Sequence, residues 1–406
     1  MRSRPCRARH VGERARVTKL FDHVARSHWL PALGQCRWVG QTLFAVVCAL
    51  ICVGTVGCGG SLTTSTASES PDSRVARSQA ALDQLVGRDD APGCSAAVAE
   101  SGVVVWQGSR GLADLESHTA ITSETSFDIA SISKQFIATG VLLLEQAGQL
   151  STSDPLSRHV PGMPGWVDRV RLVQLMHHSS GIPDYFGALG PNGWQDATLN
   201  KQDALAKISA ARKLRFQPGT KWEYSNSNYL LLGVVIERVS GQPLETFLRK
   251  RIFEPLQLRM VADPDQQMIP GEARSYNQPG SAFENVNWHF YALGPSDIWS
   301  TSADLVRWAD NYRTGSVGGP ALLTLVFDGA PETGLESSRN GAGIRYGAGI
   351  FILADNTLVH NGSFEGFKSM FSVSPDRQSA VAVLCNRVES KPEFLTEGLA
   401  FIWGFR

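Results

Sequence analysis

The strand-like segments of this chain lie near its two ends, and a mostly helical middle separates them. Residues 93–112 predict two strands around a turn, and residues 349–386 contain three more strand-like runs. The middle shows helical apolar periodicity interrupted by Pro and Gly, as in residues 228–239 and 302–313. If the two ends meet, their strands form one sheet, and residues 392–403 cover it as a helix. The sequence therefore predicts an α/β fold with a sheet-containing lobe and a helical lobe.

The most informative local motif is Ser131–Lys134, with the sequence Ser-Ile-Ser-Lys, which precedes an apolar helix pattern over residues 136–144. Residues three apart share one face of a helix, so the hydroxyl and the amine can converge at its N-terminus. A desolvated lysine near the positive end of the helix dipole should have a lowered pKa and could act as a base. This spacing predicts a nucleophilic Ser131 with Lys134 as its base.

Two later motifs carry other groups that such a serine needs. Tyr224-Ser-Asn226 is the only Tyr-x-Asn in the chain. A tyrosine close to a lysine ammonium should have a lowered pKa and could relay a proton, while Asn226 could donate to a substrate carbonyl. His360-Asn-Gly362-Ser363 ends a strand-like run, where glycine admits a substrate backbone and an exposed N–H can face an oxyanion. Each motif alone also fits a structural role, so the order of the three carries the functional prediction.

With these three motifs in this order, the chain resembles the serine hydrolases related to class C β-lactamases, low-molecular-mass penicillin-binding proteins and D-alanyl-D-alanine carboxypeptidases. Members of that family have S-x-x-K, Y-x-N and K-T-G or H-x-G in the same order. The resemblance extends from Cys94 to Asn386 and includes residues 175–184 and 299–305. It implies a β-lactamase/transpeptidase-like fold, with helices flanking an antiparallel five-stranded sheet beside a mostly helical lobe.

The resemblance also implies roles for individual residues. Ser131 would be the acyl-accepting nucleophile, Lys134 the base and Tyr224 part of the proton relay. His177 and His178 lie in a segment that the resemblance places in a structural turn, so neither is predicted to be catalytic.

The resemblance assigns substrate binding to the remaining motif residues. Asn226 would hold the acyl side of the substrate, and His360 and Gly362 would lie on the edge strand that binds it. The backbone N–H groups of Ser131 and Ser363 would form the oxyanion hole. A neutral imidazole at His360 pairs less strongly with a substrate carboxylate than an ammonium does, which favours an esterase or D-amino-acid peptidase over a β-lactamase. A non-catalytic penicillin-binding or sensing protein is a further alternative, although such a protein should have lost a catalytic residue.

The N-terminal region has the composition of an export signal. Residues 1–58 contain nine Lys or Arg and two Asp or Glu, and an apolar run over residues 42–57 precedes Cys58. These features predict a signal peptide over 1–57 with a long basic n-region and a lipidated Cys58, or alternatively an uncleaved signal anchor. Residues 58–80 are predicted to be a flexible tether and 81–406 the hydrolase domain. The protein would then be exported to the periplasm or cell surface and tethered to the membrane.

The part of the chain after residue 58 shows little sign of partners other than a substrate. It has a net charge of −7, which argues against nucleic acid binding. It contains two cysteines, Cys94 and Cys385, each in a strand-like run. They could form a bridge if the strands are neighbours, but two unpaired buried thiols are the favoured interpretation. No metal-site spacing or nucleotide motif is present, so a small-molecule or peptide substrate and no cofactor are predicted. The sequence does not predict the oligomeric state.

Overall fold

The computed structural model describes residues 71–189, 199–262, 269, 271–286, 290–291, 293–336 and 342–405. The predicted signal peptide and Cys58 lie outside these residues. The predicted tether boundary needs correction, because helix α1 spans Pro71–Val86 and so includes residues assigned to the tether. Its Ser78 and Leu82 are buried one turn apart, which gives the polar N-terminal segment an apolar face to pack.

One eight-stranded antiparallel sheet organises the fold. Its strands in chain order are β1 (Cys94–Glu100), β2 (Val103–Arg110), β3 (Glu332–Glu336), β4 (Gly343–Tyr346), β5 (Phe351–Ile352), β6 (Leu358–Phe364), β7 (Phe367–Val373) and β8 (Ser379–Cys385). Their spatial order is β3-β4-β5-β6-β7-β8-β1-β2. The predicted strand count of five is therefore too low. Strands β3, β4 and β5 extend the sheet beyond β6, and they are short or polar, which leaves little alternation for a sequence pattern to detect.

The two ends of the chain meet in the middle of this sheet. Strand β1 pairs with β8 along its whole length, and Cys94 lies opposite Cys385. The two cysteines form a disulfide, with their Cα atoms 4.1 Å apart. The favoured prediction of two unpaired thiols is therefore wrong, because the antiparallel register places the two side chains directly across from each other.

In the described part of the chain, seven helices have eight or more residues. They are α1 (Pro71–Val86), α2 (Lys134–Gln146), α3 (Lys201–Ser209), α4 (Asn226–Ser240), α5 (Ser302–Ala309), α6 (Gly319–Phe327) and α7 (Pro392–Ile402). Helices α1 and α7 pack together on the outer face of the sheet, so the predicted C-terminal covering helix is confirmed. On the inner face, α5 contacts β1 and β8, and α2 packs against α4. Among the described helices, none combines the length and the apolar character needed to cross a bilayer.

Shorter elements complete the helical lobe and the loops. The short helices are Leu172–Met176, Leu244–Leu248 and Asn311–Thr314, with a π-turn at Arg249–Phe253 and 3₁₀ turns at Ala130–Ser133, Leu156–Arg158, Gly165–Arg169 and Phe186–Leu189. The short strand pairs are Leu112–Asp114 with Thr119–Ala120, Tyr276–Asn277 with Glu284–Asn285, and Leu199–Asn200 with Phe290–Tyr291. A three-stranded sheet joins Phe127–Asp128, Ile298–Ser300 and Val261–Ala262.

Helix α2 is the centre of the molecule. Every residue from Lys134 to Leu144 is buried, and a helix that is buried on all sides must be apolar all round. Gln135 and Thr139 are polar residues within this run, and Lys134 is its one ionisable residue, fully buried at the first helical position. A lysine is rarely buried unless its amine has hydrogen-bond partners or takes part in chemistry.

Candidate active site

Ser131 lies in a 3₁₀ turn, Ala130–Ser133, that leads directly into α2. The residue before it, Ala130, has φ of 50°, a left-handed conformation that is unfavourable for a residue with a Cβ. The buried Asp128 side chain accepts a hydrogen bond from the Ala130 N–H at 2.7 Å. Burial raises the pKa of Asp128 to about 7. This contact helps to hold the strained turn that presents Ser131.

Lys134 directs its amine at three acceptors. Nζ donates to Ser131 Oγ at 3.0 Å, to Asn226 Oδ1 at 2.9 Å and to the Pro295 carbonyl at 3.0 Å. Burial lowers the pKa of Lys134 to about 7, although the carboxylates of Asp184 and Asp128 favour the charged form. The serine and lysine side chains therefore converge as predicted. A pKa of about 7 leaves part of the Lys134 amine unprotonated at neutral pH.

Tyr224 is buried beside the same two residues. Its side chain is hydrogen-bonded to Ser131, and Lys134 Nζ lies over the aromatic ring, 4.9 Å from the centroid. Burial raises the pKa of Tyr224 well above its usual range. The prediction of a lowered tyrosine pKa is therefore wrong, because the cost of burying a phenolate exceeds what a nearby, partly neutral amine can offset. Tyr224 remains a protonated phenol at neutral pH.

Asn226 is the first residue of α4, and its amide is held at both ends. Oδ1 accepts the hydrogen bond from Lys134, while Nδ2 donates to Asp184 Oδ2 at 3.0 Å. The Asn226 backbone N–H donates to the same carboxylate oxygen at 3.2 Å. Sequence reasoning assigned no role to Asp184, which lies in the segment at 175–184 but has no spacing that links it to Asn226.

That segment also supports the loop that carries Tyr224. The His178 ring stacks on the Tyr224 ring with centroids 4.2 Å apart. His178 Nδ1 accepts a hydrogen bond from the Ser225 backbone N–H at 3.2 Å. Ser180 Oγ donates to Oδ1 of Asn228, the third residue of α4, at 2.6 Å. These contacts fit the predicted structural role of His178, since it positions Tyr224 and lies behind its ring.

His360 lies on β6, and its ring is fully enclosed. The prediction of an edge strand is wrong, because β6 lies between β5 and β7 in the sheet, although β5 pairs only with Leu358 and Val359. Nδ1 lies 2.7 Å from the Asn361 carbonyl, so it must donate, and Nε2 lies 3.1 Å from the Tyr346 hydroxyl, from which it accepts. Burial, and secondarily the positive charge of Lys134, lower the pKa of His360 to about 3. The imidazole is therefore neutral, and both of its nitrogens are used within the protein.

Gly362 brings β6 into close contact with the turn that carries the nucleophile. A Cβ at this position would lie 2.3 Å from the Ile129 carbonyl and 2.1 Å from Ser369 Oγ, so no other residue fits without a backbone shift. Ser369 Oγ itself donates to the Ile129 carbonyl at 3.0 Å. The predicted need for glycine is thus explained by the protein's own backbone. Ser363 points to the opposite face of β6, where its hydroxyl accepts a hydrogen bond from Lys368 at 2.6 Å.

All three predicted motifs therefore converge on one place between the sheet and the helical lobe. Ser131, Lys134, Tyr224 and Asn226 are joined by direct contacts, and β6 packs against the Ser131 turn. Within the described ranges, no group of three or more His, Cys, Asp or Glu side chains could hold a metal ion. The arrangement can activate a hydroxyl with an amine and can supply a phenol as proton donor.

This chain is similar in sequence to known bacterial proteins. The chain is 28% identical over 312 residues to penicillin-binding protein 4* of Bacillus subtilis (strain 168), covering 72% of this chain and 67% of that protein. It is 26% identical over 324 residues to protein flp of Staphylococcus aureus (strain MW2), covering 76% of this chain and 63% of that protein. The chain thus spans about two thirds of the length of these relatives.

A similar fold occurs in the D-amino acid amidase from Ochrobactrum anthropi SV3. The TM-score is 0.67 at 24% identity, and the match covers 82% of this chain and 96% of the amidase. The Beta-lactamase family model matches residues 79–400, which include every motif described above. By this match, the chain belongs to the Beta-lactamase family.

Proposed function

We propose that this protein is a serine hydrolase that forms an acyl-enzyme on Ser131 and acts on a carboxylic ester or a D-amino-acid peptide. One observation carries the proposal: Lys134 Nζ lies 3.0 Å from Ser131 Oγ. Because the pKa of Lys134 is lowered to about 7, a large share of the amine is unprotonated at neutral pH. Such an amine can accept the serine proton.

Acylation would begin when neutral Lys134 takes the proton from Ser131 Oγ as that oxygen attacks the substrate carbonyl carbon. The backbone N–H groups of Ser131 and Ser363 are the proposed donors to the resulting oxyanion. Tyr224, which is protonated and hydrogen-bonded to Ser131, gives its proton to the leaving alkoxide or amine and recovers one from Lys134. The carbonyl bond to the leaving group breaks, and the acyl group stays on Ser131.

Deacylation reverses the same path with water as the nucleophile. Lys134, neutral again, accepts a proton from the Tyr224 hydroxyl, which takes one from the water as the water attacks the acyl carbon. The ester bond to Ser131 Oγ then breaks, and the proton returns to the serine. Asn226 holds the Lys134 amine in place throughout, since its Oδ1 is one of the three acceptors.

The neutral state of His360 supports an ester or peptide substrate over a β-lactam antibiotic. A pKa of about 3 means that this position carries no charge at neutral pH, and both ring nitrogens are engaged. The site therefore lacks a cation at His360 to pair with a substrate carboxylate. A β-lactamase is the second candidate, since the chain belongs to the Beta-lactamase family. A non-catalytic penicillin-binding or sensing protein is the third, and the intact Ser131–Lys134 contact argues against it.

Two phenylalanines beside the site support an apolar group in the substrate. Phe364 lies on the same face of β6 as Gly362, two residues further along the strand. Phe186 follows Asp184 by two residues, and its ring lies 6.2 Å from that of Phe364 in an edge-to-face arrangement. Both rings are half-buried. A substrate with an aliphatic or aromatic group next to the scissile bond would contact them.

The nucleophile and the substrate class can be tested together. The purified protein is incubated with a fluorophosphonate probe, a p-nitrophenyl ester, a D-alanyl-D-alanine peptide and a chromogenic cephalosporin, with Ser131→Ala as the control. We expect the probe to label the native protein and not the Ser131→Ala variant. Ester or peptide turnover should exceed cephalosporin turnover in kcat/KM.

Each result decides a separate part of the proposal. Labelling that persists in Ser131→Ala would reject the nucleophile. Rapid cephalosporin turnover with poor ester and peptide hydrolysis would establish a β-lactamase instead. Stable labelling by a penicillin, without turnover of any of the three substrates, would favour the non-catalytic alternative.

We propose further that the protein is exported and held at the membrane through a lipid on Cys58. The Cys94–Cys385 disulfide supports export, because structural disulfides persist mainly in oxidising compartments. Mass spectrometry of the membrane fraction should find a lipidated Cys58 at the mature N-terminus, and Cys58→Ala should abolish the modification. A mature N-terminus at another residue would refute the lipid anchor, and a retained leader would indicate a signal anchor.

A further inference from the structure

Asp184 makes a dense set of contacts next to the candidate catalytic groups. Its Oδ2 accepts hydrogen bonds from both the backbone N–H and the side-chain Nδ2 of Asn226, at 3.2 Å and 3.0 Å. Its Oδ1 accepts from the Phe186 backbone N–H at 3.0 Å. A carboxylate is an acceptor on both oxygens, so it fits a position that faces three N–H donors.

These contacts fix which end of the Asn226 amide faces Lys134. Since Nδ2 must point at Asp184, Oδ1 points at Lys134 Nζ, where the hydrogen bond measures 2.9 Å. A flipped amide would place two N–H donors against the amine and would lose both hydrogen bonds. The carboxylate therefore determines the acceptor that holds the amine of Lys134 beside Ser131.

Asp184 also contributes charge to a site with few other charges. Asp184 and Asp128 are the two carboxylates whose negative charge favours protonated Lys134. His360 and the rings of Tyr224 and Tyr229 also lie near the amine, and all three are uncharged at neutral pH. Asp297 is a further buried acid, two residues after the Pro295 carbonyl that accepts from the amine. Asp128 accepts from the Ala130 turn, whereas Asp184 connects to the amine through Asn226.

We propose that Asp184 is a positioning residue for the candidate catalytic base: it orients the Asn226 amide and stabilises the protonated Lys134 that forms during acylation. This inference rests on the proposed function, because it assigns Asp184 a part in the acylation of Ser131. Asp184 would make two contributions, the orientation of the Asn226 amide and the negative charge near Lys134. A separate variant tests each contribution.

The test uses the rate at which a fluorophosphonate labels Ser131, measured from about pH 5 to 9, so that it does not depend on the natural substrate. In the native protein the rate should rise with pH through about 7, as Lys134 loses its proton. Asp184→Asn keeps the size of the side chain and removes the charge. We expect the rising limb to move to lower pH, because the protonated amine loses a stabilising neighbour, and the limiting rate to fall by roughly 10- to 100-fold from the disturbed geometry.

Two further variants make the result specific. Asp184→Glu retains the charge and displaces the carboxylate, so the limiting rate should fall while the limb stays near its native pH. Asp90→Asn removes a negative charge from an exposed ion pair with Arg88 and should change neither the rate nor the limb. Circular dichroism and thermal unfolding establish that each variant is folded. If Asp184→Asn does not fold, the comparison of Asp184→Glu with the native protein still tests the geometric part.

The outcomes are distinct. A lower limiting rate in Asp184→Asn without a shift of the limb would overturn the charge contribution, and an unchanged limiting rate in both Asp184 variants would overturn the positioning role. Native-like labelling of Ser131→Ala would instead reject the proposed nucleophile, which is a separate failure.

Discussion

The two faces of the central sheet differ in what they bury. The outer face, under α1 and α7, presents apolar side chains such as Ala96 and Val98, and Leu399 of α7 packs in the same cluster. The inner face buries Lys134 and His360 together with an acid and several amides. The outer face serves packing, whereas the inner face combines packing with the candidate active site.

Both faces also contain buried polar atoms. On the outer face, Trp403 Nε1 donates to Ser78 Oγ at 2.9 Å. Arg74 Nε of α1 is buried without a hydrogen-bond partner in the described part of the chain, and near the site the same is true of Ser133 Oγ, Ser225 Oγ and Ser296 Oγ. Each such atom costs stability. The inner face therefore combines the larger apolar core with buried polar groups that cost stability, whereas the outer face is smaller and almost wholly apolar.

The largest expected effect tests the inner face. Lys134→Met keeps much of the side-chain volume and removes the base, so kcat/KM toward the best ester or peptide should fall by about 10³- to 10⁴-fold. The secondary structure should be unchanged by circular dichroism. A variant within about tenfold of the native kcat/KM would show that another group is the base.

The disulfide should affect stability and leave the chemistry intact. The Cys94→Ala/Cys385→Ala double variant should lose up to about 5 kcal/mol of unfolding free energy, since the bridge closes a long loop in the unfolded chain. Urea unfolding measures the loss, and the kcat at 25 °C should stay within about twofold of the native value. A large fall in kcat with little loss of stability would show that the outer and inner faces are coupled.

A single core truncation gives a smaller effect of the same kind. Leu399 in α7 is fully buried against the outer face. Leu399→Ala should lower the free energy of unfolding by about 3 kcal/mol through the cavity that it creates. The pH dependence of Ser131 labelling should not change. Phe401→Ala is the matched control, because Phe401 lies on the same helix but is 80% exposed, and its substitution should cost little.

The smallest effect is expected at His360. His360→Asn retains a side-chain acceptor for the Tyr346 hydroxyl and removes a ring that is uncharged and enclosed. We expect kcat/KM to fall by no more than about tenfold, with the change mainly in the orientation of β6. A rise in KM of about 100-fold with kcat unchanged would show instead that the imidazole binds the substrate directly.

The sequence alone predicted the parts of the site that depend on residues close together in the chain. Ser131 and Lys134 meet because residues three apart share a face at the start of a helix. Tyr224 and His360 could be placed near them because the order of the three motifs matched the family. The family itself and the α/β architecture are confirmed by the comparisons.

What the sequence missed depends on contacts between distant segments. Asp184 reaches Asn226 across 42 residues, and no local pattern marks that pairing. The Cys94–Cys385 bridge needed the register of β1 against β8, which alternation alone does not fix. The pKa of Tyr224 was predicted in the wrong direction because the sequence shows neighbouring charges but not the depth of burial.

The pairing of β1 with β8 also has a consequence for how the chain acquires its structure. Synthesis runs from the N-terminus, so β1 is made early, yet its partner in the sheet follows 291 residues later. Until then one edge of an apolar strand has no neighbour, and contacts of such high sequence separation form slowly. Strand β8 is therefore the one that completes the sheet, and a chain interrupted before it would hold all three candidate motifs and still lack the strand that joins β7 to β1.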